Sequence, residues 1–188
     1  KDGFLPMTAA EVVARADPEE AARELRAQVE LALEVGIDVT HLDSHMGTVF
    51  YHQFLPAWTG LAVELGLPTF IPSSFRGRSA ITEMEAAGVP VIDELIHQTY
   101  GPDRAAKEAL FATLLRGLQP GFTHFLIHPA HDTPELRDGI VGWETRVADY
   151  ELFAEGKLHR SLEAGGVQLV GYRGLRDAIR ADLFNISA

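Results

Sequence analysis

Residues 37–45 read IDVTHLDSH, a short apolar run that ends in a polar cluster. The apolar side chains predict a short buried strand over residues 37–42. In parallel α/β folds, functional side chains gather where the strands end, at their carboxyl edge. Asp43, Ser44 and His45 stand at that position and are therefore candidates for a functional site.

A second polar cluster has the same placement. Residues 121–127, GFTHFLI, are the clearest predicted strand of the chain, and residues 128–132, HPAHD, follow it directly. Both clusters contain imidazoles and a carboxylate. Because neighbouring parallel strands end at the same edge of a sheet, we expect the two clusters to share one pocket.

Short apolar strands alternate with helices of about ten to fifteen residues, which is typical of βα units and a parallel sheet. Strands are predicted at residues 37–42, 67–71, 89–92, 121–127 and 167–170. Helices are predicted after the capping box at 8–11 and at residues 18–35, 54–65, 82–87, 102–118, 143–153, 157–164 and 175–184. These strands are too few for a complete eight-stranded barrel. A barrel that lacks its first third and an open doubly wound sheet both fit the pattern.

Two of these helices have a predicted apolar face. In the helix at 18–35 the face consists of Leu25, Val29, Leu31, Leu33 and Val35. In the helix at 102–118 it consists of Ala106, Leu110, Leu114 and Leu115.

Composition limits the class of protein. The 188 residues, 46% hydrophobic and 23% charged, suffice for a single domain over residues 1–188. The absence of cysteine excludes disulfides, cysteine-ligated zinc and cysteine nucleophiles. A net charge of −11 argues against nucleic acid as a partner, and from the sequence we expect neither a membrane-spanning helix nor a signal peptide. We expect a cytoplasmic protein, and because Lys1 opens the sequence, we expect a missing upstream portion.

The two polar clusters have the side chains that hydrolysis of an amide or ester requires. Imidazole together with carboxylate suits zinc, and carboxylate-rich sets suit magnesium or manganese. A bound ion activates water and polarises a carbonyl, and a further histidine can protonate the leaving amine. His41, Asp43 and His45 would share one face if the strand stayed regular, because strand side chains alternate with a period of two.

Two arginines are candidate substrate-binding residues. Arg78 lies in the polar loop after the strand predicted at 67–71, where it would contact a carboxylate or sugar hydroxyls; a solvated loop arginine is the alternative. Arg146 lies one turn from Asp149 on the helix predicted at 143–153, where a simple ion pair on the helix surface is the favoured interpretation.

Residues 40–45, THLDSH, are similar to the THLDSH segment of the YdjC-like carbohydrate deacetylases. Residues 2–6, 127–130 and 171–175 resemble further stretches of that family in the same order. The resemblance implies a distorted (β/α) barrel of the glycoside hydrolase/deacetylase type, with its N-terminal strands missing from this chain. It also implies removal of acetyl groups from N-acetylated sugars with a divalent metal ion, magnesium or zinc.

The resemblance assigns roles to individual residues. His45 corresponds to a metal ligand, and His128 corresponds to an active-site histidine that we take as the candidate general acid. Asp43 and His41 are placed behind His45, where they would orient its ring. The implied partner is a small N-acetylated sugar, and a homodimer is compatible with the sequence.

The chain departs from the family pattern in two places. Residues 46–48, Met46-Gly47-Thr48, stand where the family usually has two further histidines. The family's N-terminal Asp-Asp segment and first ligand histidine have no counterpart, so His45 is one of three expected ligands. The alternative function is a non-catalytic carbohydrate-binding or interaction domain with an incomplete metal site. A phosphoester hydrolase fits less well, because few basic residues lie near the motifs.

Overall fold

The structure is a computed structural model that describes residues 6–99, 101 and 103–185. Residues 2–5 of the family-like segment at 2–6 lie outside the described residues, as does Pro102, which is predicted to open a helix. The chain forms two compact units. The first unit comprises residues 1–92 and 171–188, and the second unit comprises residues 93–170.

Helices make up most of both units. The first unit contains α1 (Ala9–Arg15), α2 (Pro18–Glu34), α3 (Leu55–Leu65), α4 (Ser79–Ala86), α9 (Tyr172–Asn185) and the 3₁₀ helices His45–Phe50 and Ser73–Phe75. The second unit contains β1 (Glu94–Ile96), α5 (Arg104–Gly117), β2 (Thr123–Phe125), α6 (Pro134–Gly139), α7 (Trp143–Ala154) and α8 (Lys157–Ala164). The sequence analysis missed β1, α6 and both 3₁₀ helices. In the described part of the chain, every helix is too short or too polar to cross a membrane.

Capping signals in the sequence set the helix starts of the first unit. Thr8 and Glu11 form the predicted capping box: the Glu11 N–H donates to Thr8 Oγ1 at 3.2 Å, and the Thr8 N–H donates to Glu11 Oε2 at 3.2 Å. Asp17 caps α2 by accepting two backbone N–H groups at 2.8 and 3.0 Å. Gly66 ends α3 in the left-handed conformation, with φ 57° and ψ 46°. These predicted boundaries are confirmed.

The apolar face predicted for α2 is wrong in its second half. Val29 is buried and Leu25 packs against the same core, but Leu31, Leu33 and Val35 are 59%, 48% and 64% exposed. These three residues follow Val29 in steps of two. Two residues turn a helix by about 200°, so side chains spaced in this way cannot lie on one face.

The three segments predicted as strands in the first unit run parallel but form no continuous ladder. They meet at single bridges between Leu42 and Thr69 and between Pro72 and Ile92. Pro72 and Pro90 lack the N–H group that a regular ladder needs at each step. Side chains from these segments nevertheless enter one core with α3, α4 and α9.

The second unit has a regular parallel pair. Strand β1 pairs with β2 in the register Glu94 to Thr123 and Ile96 to Phe125. Strand β2 confirms the central part of the strand predicted at 121–127. The strand predicted at 167–170 is wrong, because these residues form no strand and Leu169 is 56% exposed. The described residues thus have an α/β architecture with a small parallel sheet.

An aromatic cluster forms the core of the second unit. Phe111 of α5 is fully buried, and its ring lies 5.3 Å from that of Phe125. The face predicted for α5 is correct at Leu114 and Leu115, which pack against this cluster. Two turns earlier it is wrong, because the side chain that enters the interior is Lys107, which is 1% exposed.

Candidate functional site

The THLDSH segment lies in the first unit and is anchored by Leu42. The Leu42 N–H donates to the Pro68 carbonyl at 3.0 Å, and the side chain is 5% exposed within the core. The neighbours of Leu42 have less burial: His41 is half-buried and Asp43 is exposed. An apolar side chain thus holds the segment in place, while the polar side chains around it reach the surface.

His45 begins a tight turn. The Gly47 N–H donates to the Ser44 carbonyl at 2.9 Å, and Met46 has φ 60° and ψ 5°. A positive φ at the third position is what type II turns require, and it is uncommon for a residue with a side chain. The chain therefore leaves the extended conformation at His45, so the regular strand on which the shared face of residues 41, 43 and 45 depended is absent. The His45 side chain is exposed.

His41 packs on the helix that returns from the far end of the chain. Its ring stacks on Tyr172 of α9, with centroids 4.3 Å apart and an interplanar angle of 8°. Its Nδ1 lies 2.9 Å from Thr40 Oγ1. Burial lowers the pKa of His41 and is opposed in part by the charge of Asp43. Burial also raises the pKa of the Tyr172 hydroxyl. The neutral imidazole is therefore the form that this packing favours.

This packing predicts a pH dependence of stability. Below the ordinary histidine pKa of 6.5, the unfolded chain binds a proton at His41 more readily than the folded chain does. The contribution of His41 to the free energy of unfolding is therefore fully present above about pH 6.5. It is lost as the pH falls through the lowered pKa of His41 in the folded protein. We expect His41→Phe, which keeps a ring against Tyr172, to lose less stability than the wild type between pH 7.5 and 5. Urea unfolding at both pH values measures this difference; an equal loss in both proteins would contradict it.

An ion-pair network holds the two residues that precede the THLDSH segment. The guanidinium of Arg176, 7% exposed, contacts the Asp38 carboxylate and donates to the Val39 carbonyl at 3.0 Å. Arg173 contacts the same carboxylate from the preceding turn of α9. The segment 171–175, which was singled out by its resemblance to the family, thus supports the segment that carries His45.

Arg78 lies near the 3₁₀ helix that begins at His45. Its Nη1 donates to the carbonyl of Phe50, the last residue of that helix, at 3.2 Å. Its guanidinium carbon also lies 4.4 Å from the ring centroid of Phe75. The side chain remains exposed. Arg78 is therefore held at the surface of the first unit, against the end of the 3₁₀ helix that begins at His45.

His128 lies in the second unit, three residues after β2. Its N–H donates to Asp149 Oδ2 on α7 at 2.9 Å, and the Ala130 N–H donates to the Arg146 carbonyl at 3.1 Å. Pro129 stands between them and has no N–H. Each backbone donor of this tripeptide is therefore bound to one helix, so the backbone at His128 has little freedom.

Asp149 belongs to a buried ion pair that the sequence analysis missed. Lys107 Nζ lies 2.6 Å from Asp149 Oδ1, and both side chains are 1% exposed. Lys107 also donates to Thr145 O at 2.7 Å and to Thr145 Oγ1 at 2.8 Å. The favoured interpretation of Asp149 as a surface partner of Arg146 is wrong, because Asp149 is buried and pairs with Lys107 of a different helix.

The family comparison covers most of the chain. The model for the YdjC-like protein family matches residues 1–164. The chain belongs to the YdjC-like family. The resemblance seen in the THLDSH segment is thereby confirmed.

Several relatives of this YdjC-like chain carry the name carbohydrate deacetylase. The protein of Thermus thermophilus is 27% identical over 187 residues, which cover 94% of this chain and 67% of the relative. The protein of Geobacillus stearothermophilus is 28% identical over 152 residues, which cover 80% of this chain and 58% of the relative. The chain thus spans about two thirds or less of the length of these relatives.

A solved structure has a related fold. It is a protein of Enterococcus faecalis V583 named for cellobiose-phosphate cleavage, and it matches with a TM-score of 0.64 at 21% identity. The match covers 85% of this chain and 61% of that chain. At this level of identity the similarity concerns the fold alone.

The described residues of this YdjC-like chain do not form a complete metal site. Among residues 6–99, 101 and 103–185, no three His, Cys, Asp or Glu side chains come together as ligands. Asp132, four residues after His128, is engaged elsewhere: Arg137 donates to it at 2.6 Å through both Nε and Nη2, which lowers the pKa of the Asp132 carboxyl. The donor set therefore fits a metal ion only in part.

Proposed function

We propose that the full-length protein is a metal-dependent carbohydrate deacetylase that removes acetyl groups from N-acetylated sugars or oligosaccharides. Membership of the YdjC-like family and the names of the relatives support this proposal. The observation that carries it is the exposed imidazole of His45 on an anchored turn after an extended parallel segment. The activity is proposed for the full-length protein, because the chain spans 67% of the Thermus relative and less of the Geobacillus one.

In this proposal His45 is one ligand of a divalent ion, magnesium or zinc. An exposed imidazole on a fixed turn can reach a cation without removing a buried group from its partners. The further ligands come from outside the described residues. Asp43 and His41 are proposed to orient the ring of His45, and the proposed fold is a distorted (β/α) barrel.

His128 is the proposed general acid. When water adds to the acetamide carbonyl carbon and the C–N bond breaks, the sugar nitrogen needs a proton to leave as an amine. An imidazole near neutral pH can supply it, and such proton transfer contributes about 10²–10⁴ in rate. Arg78 and Arg146 are the proposed contacts to sugar hydroxyls.

Acetate release tests the proposal directly. The full-length protein, supplied with magnesium or zinc, is expected to release acetate from N-acetylglucosamine oligomers, and a chelator is expected to stop the release. Acetate is measured with a coupled enzymatic assay, and the chelated protein is the control. If the metal-supplied protein released no acetate from sugars of any tested length, the deacetylase proposal would be lost.

A second candidate function is a carbohydrate-binding or interaction domain without catalysis. The incomplete ligand set among the described residues favours it. Calorimetry separates the two candidates, because the enzyme requires stoichiometric binding of zinc or magnesium. A protein that binds the oligomers but neither cation would support the second candidate.

A further inference from the structure

The segment 128–130 is fixed more firmly than its place after a short strand requires. The His128 and Ala130 N–H groups both bind α7, and Pro129 has its φ locked by its ring. The residue before a proline is itself restricted to extended conformations, which removes further freedom from the backbone of His128. The backbone of His128 therefore has little conformational freedom, and the direction of its Cα–Cβ bond is fixed with it.

The side chain of Asp149 is one of the two acceptors that hold the backbone of segment 128–130. One carboxylate oxygen accepts the His128 N–H, and the other lies 2.6 Å from Lys107 Nζ. Lys107 is held in turn by two oxygens of Thr145, so the carboxylate has little freedom to rotate. A charged acceptor forms a shorter and stronger bond to an N–H than a neutral one does.

Stability alone does not explain a charged pair at this position. Buried ion pairs are often replaced by packed apolar residues with no loss of stability. The pair lies in an aromatic core between α5 and α7, where an apolar pair would also pack. Its specific consequence in this structure is the bond to the His128 backbone.

We infer that Asp149, held by Lys107, is a positioning residue that fixes the backbone from which the His128 imidazole is presented for proton donation. This inference rests on the proposed function for its catalytic consequence. Asp149 acts through the peptide N–H of His128 and not on the substrate. Loss of the acceptor oxygen of Asp149 therefore displaces the proton-donating imidazole of His128 without removing it.

Two double variants separate positioning from folding. Lys107→Gln/Asp149→Asn keeps an acceptor oxygen for the His128 N–H within a neutral, hydrogen-bonded pair. Lys107→Met/Asp149→Leu fills the same space with apolar groups and leaves that N–H without its acceptor. We expect amide exchange at His128, followed by NMR, to quicken about ten-fold in the second variant alone, as one lost hydrogen bond predicts. The Ala130 amide, bound to Arg146, is the internal control.

The kinetic test uses the full-length, metal-supplied protein. We expect kcat to fall about 10- to 100-fold in the apolar variant, as a displaced catalytic group predicts, with KM nearly unchanged. In a His128→Ala background, the apolar double variant Lys107→Met/Asp149→Leu is expected to cause no further loss of kcat. Additive losses would overturn the positioning role, as would equal His128 exchange in both double variants. A wild type without deacetylase activity would refute the proposed function and the positioning role in catalysis, and amide exchange would still decide the anchoring.

Discussion

His45→Ala is expected to abolish stoichiometric metal binding and to lower kcat/KM of the full-length protein by more than about 100-fold. Loss of an outer hydrogen-bond partner of a metal ligand already costs about 10- to 100-fold, and loss of the ligand itself costs more. Titration calorimetry with zinc and magnesium measures the binding, and acetate release measures the activity.

The matched control for this substitution is His52→Ala. His52 is also an exposed histidine of the first unit, and it lies shortly after the 3₁₀ helix that begins at His45. Removing it takes away an imidazole of the same kind without touching the turn at residues 44–47. Metal affinity that stayed at the wild-type value in His45→Ala would remove His45 from the proposed site.

Lys107→Met is expected to destabilise the second unit by about 3–5 kcal/mol, because it leaves the Asp149 carboxylate buried without its counter-charge. The chain has two tryptophans, Trp58 in the first unit and Trp143 in the second. A Trp58→Phe background therefore makes Trp143 fluorescence a reporter of the second unit during urea unfolding. The apolar double variant Lys107→Met/Asp149→Leu is expected to recover most of the loss.

An exposed ion pair between the same two helices is the control for this prediction. The Nη1 atom of Arg104 on α5 lies 3.0 Å from Oε2 of Glu151 on α7, and both side chains are more than one-third exposed. Pairs of this kind contribute about 0–1 kcal/mol, so Arg104→Ala is expected to have little effect. A Lys107→Met variant as stable as Arg104→Ala would show that the buried pair contributes nothing.

The sequence predicted those parts of the structure that depend on local chemistry. Thr8 and Asp17 cap helices because their side chains accept N–H groups a few residues away, and Gly66 ends α3 because it accepts a positive φ. The placement of His128 after a strand was predictable because apolar residues precede it. The contact of its N–H with Asp149 was not, because the two residues are brought together only by tertiary packing.

The missed features have one physical cause in common. The charged side chain of Lys107 predicts an exposed position on the helix. Only Phe111, one turn later, indicates that this face of the helix is buried. Strand β1 begins at Glu94, next to Asp93, and charged residues read as a loop. At Met46 the chain turns with a positive φ that its side chain gives no reason to expect. In each case the tertiary environment overrides the local preference.

The bond between Arg176 and Asp38 joins residues 138 positions apart. The first unit is therefore discontinuous along the polypeptide, with the entire second unit inserted between its parts. During synthesis the second unit emerges whole and can form early, as continuous units generally do. The segment that carries His45 must wait for α9 before its stacking partner Tyr172 and its guanidinium anchors exist. A polypeptide that ended at residue 170 would thus contain the whole second unit and a first unit still lacking its closing helix.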